Sequence, residues 1–124
     1  MGVGLPPISF DPEVEISPYE LFRRLREGRA PALYALASRP EPEPERPRRT
    51  LRGAGAVTGP DWAPPEDEAV IFDEDGEGAR ALVTALRERG ISGVRALFGG
   101  LRLYDYCLDP RVVGEERYLV DAAG

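Results

Sequence analysis

The stretch AVIFDEDGEGARALVTALRERG, residues 69–90, decides how this sequence folds. Ala69 to Phe72 form a short apolar run of strand length with no polar alternation, the pattern of a strand buried on both faces. Beyond it, Leu82, Val83 and Leu86 share one helical face, Arg80, Arg87 and Glu88 take the other, and Gly90 closes the helix. In an α/β protein, unpaired N–H groups and the helix dipole make such a strand-to-helix junction the usual seat of a bound anion. Here Asp73, Glu74, Asp75 and Glu77 occupy it.

Working outward, the remaining elements fit around this unit. Upstream, Ser17 caps a helix, Pro18 takes its first position and Glu20 completes a capping box. Leu21, Phe22 and Leu25 lie on one face, and Gly28 ends the helix. PALYALAS (31–38) is expected to be a strand buried on both faces. RPEPEPERPRRT (39–50) is expected to be a stiff, extended surface loop, because alternating proline forbids a helix. GAGAV supplies a short strand ending at Val57, and GPDWAPPEDE (59–68) is a turn-rich connection. Downstream, ISGVRALFGG gives a strand through Phe98 and a glycine turn, followed by a short helix in LRLYDYCLD that stops before Pro110. Strands alternating with helices imply right-handed βαβ units, hence an α/β fold with a mostly parallel sheet and helices on both faces. The expected organisation is an extended N-terminal segment, 1–13, and a single domain, 14–120.

Composition narrows the chemistry. With 124 residues, the chain has the length of one domain, able to bury roughly two-thirds of its unfolded surface. There is no His, and Cys107 is the single cysteine, so an internal disulfide, the usual zinc sets and Ser-His or Cys-His pairs are excluded. A net charge of −6 disfavours nucleic acid and anionic membranes as partners. The first residues lack the basic and long apolar segments of a secretory signal, so a cytoplasmic location is expected. All 16 basic residues are arginine, Asn and Gln are absent and there are 13 prolines, a composition that fits a heat-adapted source.

The order ISPYEL, buried strand, GAV, strand–loop–helix, RERGISGVRAL and FGGLRLY resembles the rhodanese-like domain family over roughly residues 14–113, most strongly over 69–104. The resemblance implies a sulfurtransferase fold, in which a cysteine thiolate at the strand end takes up sulfane sulfur and a six-residue loop cradles the anion with its N–H groups. That loop falls on Asp73, Glu74, Asp75, Gly76, Glu77 and Gly78, with Asp73 at the nucleophile position. A carboxylate carries no persulfide. The family's charged pair in the first buried strand falls on Ala35 and Ala37, and its lead-in to GAV reads RGAG, residues 52–55. The resemblance therefore implies a retained scaffold from which the sulfur chemistry has been lost.

Carboxylates facing an anion at about 4 Å cost it on the order of 1–4 kcal/mol each, depending on the local dielectric. Set against the helix N-terminus, each stabilises the fold instead, by about 0.3–1 kcal/mol. IFDEDG also resembles the first motif of the haloacid-dehalogenase-like phosphatases, which implies Asp73 as nucleophile, Asp75 as acid/base and a Mg²⁺ between them. That family also depends on a later Lys, and this chain has none. Asp73, Asp75, Glu77 and Gly78 match the first half of a calcium loop, but its twelfth position is Thr84, so Asp73, Asp75 and Glu77 are the metal-ligand candidates. Cys107 is expected to be a buried small hydrophobe, with residual sulfur carriage as its functional alternative. Phe98, Tyr104 and Tyr106 are expected in the core, an exposed cluster being instead a partner surface. The expectation is therefore a catalytically inactive rhodanese-like domain that acts as a binding or regulatory module, without a cofactor and with another protein as its partner.

Overall fold

Ala69–Phe72 forms strand β5, and all four residues are buried because neighbouring strands flank it and helices cover both of its faces. The structure is a computed structural model that describes residues 10–36, 49–59 and 61–121. On one side β5 pairs in parallel with β2 (Ala32–Ala35), from Ala32↔Ala69 to Ala35↔Phe72. On the other it pairs in parallel with β6 (Val94–Leu97), which carries β1 (Glu15–Ile16) beyond it; β4 (Gly55–Ala56) lies outside β2. The order β1-β6-β5-β2-β4 is parallel at every pairing. An antiparallel ribbon of β3 (Arg49–Leu51) and β7 (Leu119–Asp121) lies apart from this sheet.

The period-2 alternation of β5 divides the core. Val70 and Phe72 join Leu33, Leu97, Leu21, Phe22 and Tyr104 under α1 (Pro18–Arg26) and α3 (Gly100–Cys107). Ile71 joins Val94, Ala96, Ala79, Val83 and Leu86 under α2 (Glu77–Glu88) on the opposite face. Val83 and Leu86 are each fully buried, contributing about 1.5–3 kcal/mol apiece. The molecule is thus an α/β domain with helices on both faces of a five-stranded parallel sheet. Among the described residues, no helix is long and apolar enough to cross a membrane.

Several local expectations change. Ser17 Oγ accepts the Glu20 N–H at 3.1 Å, but the Glu20 carboxylate turns to Arg23 at 2.6 Å, so the capping box is only half made. In β2 only Leu33 is buried, because α2 packs on β5 and β6 and leaves Tyr34 to the edge of Trp62, 4.9 Å between ring centroids. Arg49 and Thr50, read as the end of the loop, belong to β3, and the Pro/Glu stretch preceding Arg49 lies outside the described residues. Of the N-terminal segment, residues 1–9 lie outside them as well, while Asp11 to Val14 make a turn rather than an extended strand. Pro110 stops α3 and also begins α4 (Pro110–Val113), capped by Asp109, whose carboxylate accepts the Arg111 N–H at 2.9 Å.

Candidate functional site

Phe72 leaves the C-terminal end of β5 and the chain turns into the acidic loop. Asp73 is 9% exposed and folds back over that loop. Its Oδ1 accepts the Gly76 N–H at 2.6 Å and its Oδ2 the Ala79 N–H at 3.0 Å. Asp75 Oδ1 accepts the Glu77 N–H at 2.9 Å. The donors at the start of α2 are therefore occupied by the loop's own carboxylates. Burial raises the Asp73 carboxyl above the usual range, with the Gly76 and Ala79 N–H groups pulling against it.

The N-terminus of α3 is closed from the same loop. Leu101 N–H donates to the Asp73 carbonyl at 2.9 Å and Arg102 N–H to the Glu74 carbonyl at 3.0 Å. These bonds require the loop backbone to lie against Gly99 and Gly100, both at positive φ. A Cβ at Gly76 would come within 2.9 Å of the Gly99 nitrogen. The paired glycines, read from sequence as a turn, thus also allow close approach of two backbones. Glu74 projects the other way, and Arg49 Nη2 meets its Oε1 at 3.3 Å while Arg49 Nη1 donates to Asp105 Oδ2 at 2.8 Å. Arg117 takes the other Asp105 oxygen at 2.7 Å, and together these guanidinium groups hold the Asp105 carboxyl below its usual range, Arg117 foremost.

Beside the loop, between the first turn of α2 and α3, lies an open cleft of about 640 Å³. Phe98, Leu103 and Tyr106 supply its apolar wall, and Glu77, Arg80 and Arg102 line it with charge. Glu15, 4% exposed, also lines it. Sequence reasoning passed over Glu15 and Arg49; the acid that opens β1 amid apolar neighbours was a signal for the first, and nothing local marked the second.

The expected site residues separate. Asp73, Asp75 and Glu77 share the loop, but among the described residues no three Asp, Glu or Cys side chains converge as a metal centre requires. Cys107 is half-buried at the far end of α3 rather than buried, because it occupies the helix's last turn, where its carbonyl accepts the Tyr19 hydroxyl at 3.1 Å. Tyr104 is in the core as expected, its hydroxyl donating to the Arg117 carbonyl at 2.6 Å. Tyr106 is 85% exposed and Phe98 half-buried, because the α3 face that carries Tyr106 and Leu103 borders the cleft instead of the sheet. Ala35 ends β2 beside Ala56 of β4, and Ala37 lies outside the described residues. RGAG (52–55) leads into β4, with the Arg52 guanidinium paired to Glu116 at 2.8 Å. No protein-family model matches the chain, and no curated protein matches it.

Proposed function

We propose that this chain is a rhodanese-like domain without sulfur-transfer chemistry, acting as a protein-binding or regulatory module. The parallel sheet with helices on both faces and the loop at the C-terminal end of β5 support the family assignment. The observation that carries the functional half is the Asp73 carboxylate, bonded through both oxygens to the N–H groups of Gly76 and Ala79. In a sulfurtransferase of this kind, those donors would face an anion and the residue at this position would bear sulfur. Here the position carries oxygen and negative charge, and the donors are satisfied internally. The exposed Tyr106 and the half-buried Phe98 beside the loop supply surface for a partner.

The test is sulfur transfer from thiosulfate to cyanide by the purified protein, with mass spectrometry for a persulfide. Neither thiocyanate nor a persulfide is expected. Thiocyanate formation that disappears in Cys107→Ser would overturn the reading.

A further inference from the structure

The chain enters the described structure at the edge of the cleft. Phe10 sets its ring edge-on against Phe98, with 5.3 Å between centroids and 86° between planes. The next backbone N–H, that of Asp11, donates to Glu15 Oε1 at 3.1 Å. Phe98 and Glu15 both line the cleft. Residues 1–9 are thereby tethered beside it, and their sequence, MGVGLPPIS, carries no charged side chain.

We infer that this segment is the cleft's own occupant, laying Leu5, Pro6, Pro7 and Ile8 along the wall formed by Phe98, Leu103 and Tyr106. The inference goes beyond the binding-module reading, because it holds whether or not the domain transfers sulfur; a partner drawn to Tyr106 must first displace the segment. Consecutive prolines fix φ near about −65° and remove two N–H donors, so LPPI favours the polyproline conformation, which aromatic grooves recognise at little cost in entropy. The lengths agree: α3 rises about 9 Å from Gly100 to Tyr106, and a polyproline segment covers about 9 Å from Leu5 to Ile8. The lining mixes carboxylates with the guanidinium groups of Arg80 and Arg102, so it favours neither a cationic nor an anionic occupant. An uncharged segment covers the aromatic wall instead, and its carbonyls, which make no internal hydrogen bonds as polyproline, meet donors in the two arginines. A short tether raises the effective concentration to about the millimolar range, so a contact too weak to hold a free peptide holds this segment.

The experiment compares the full chain with its Leu5→Ser/Ile8→Ser double variant, whose changes lie outside the described core. In nuclear magnetic resonance spectra of the parent, cross-relaxation peaks are expected between the Tyr106 ring and the methyl groups of Leu5 and Ile8. In the variant those peaks should be lost, and the signals of Phe98, Leu103 and Tyr106 should shift while those of β5 stay in place. A fluorescently labelled peptide of residues 2–9, followed by anisotropy, should bind the variant on the order of tenfold more tightly than the parent, whose tethered copy competes. Adding Tyr106→Ala to the variant should abolish that binding, and Tyr106 is exposed, so the fold survives its truncation. No cross-peaks in the parent, equal affinity of the two chains, no binding to the variant or binding that persists without Tyr106 would each overturn the inference. Tyr106 signals that change with protein concentration would give the cleft to a second copy of the chain and overturn it as well.

Discussion

Gly100 lies against the backbone of Glu74 so closely that a Cβ on it would fall 2.5 Å from the Glu74 carbonyl oxygen. The contact locks the acidic loop to the start of α3, and φ at Gly100 is +68°. Gly100→Ala is therefore expected to cost more than about 2 kcal/mol, combining left-handed backbone strain with displacement of the loop. Gly28→Ala is the control, with φ +73° and open space around its Cβ, and its expected cost is about 1 kcal/mol. Urea unfolding compares them, and equal costs would mean that the loop and α3 move independently.

Asp73→Asn keeps one acceptor oxygen and turns an amide N–H₂ toward the second donor. Leaving a buried backbone N–H without its acceptor costs about 1–3 kcal/mol, and chemical denaturation near neutral pH measures it.

The pH dependence carries a second signature of Asp73. Because burial raises its carboxyl in the folded state, its contribution to stability is fully present below the unfolded value, about 3.9, and is lost as pH rises through the folded one. In Asp73→Asn this downward component is expected to disappear from denaturation midpoints measured upward from about pH 4. An unchanged profile would show that the carboxyl is not desolvated.

Asp105 has the opposite sign. Arg117 and then Arg49 lower its carboxyl, so its contribution is present above the unfolded value and lost as pH falls through the folded one. Asp105→Asn should therefore be less stable than the parent at neutral pH and converge with it in acid. The same denaturation series reads it out; a gap that persists in acid would assign the effect to packing.

Leu86→Ala and Leu82→Ala separate the two sides of the α2 stripe. Leu86 is fully buried, so its truncation is expected to cost about 2–5 kcal/mol, whereas the half-buried Leu82 should cost less. Thermal or urea unfolding decides the order.

The parallel α/β arrangement was legible because Ala69–Phe72 is apolar throughout and α2 has a clear 3.6-residue stripe, and the two periods together specify a strand covered by helices. Pro18 and Gly28 marked the ends of α1 through local backbone chemistry. The ribbon of β3 and β7 was not legible, since Arg49–Leu51 becomes a strand only by pairing with residues some seventy positions later. For the same reason, the exposure of Tyr106 escaped the sequence: helical spacing places it beside Leu103 but does not say which neighbour that face meets. At the acidic loop, residue types disclosed that the carboxylates belong beside the α2 N-terminus. That α3 donates its first N–H groups to the same loop follows from tertiary approach at Gly99 and Gly100.

The wholly parallel pairing of the five-stranded sheet also bears on how fast the chain reaches this state. No two of its strands are joined by a hairpin, so β5 must find β2 and β6 across intervening crossovers, and every ladder waits for a long loop to close. Collapse onto α2 and α3 should therefore precede strand registration, and the amide protons of β5 should be the last to exchange with solvent deuterium.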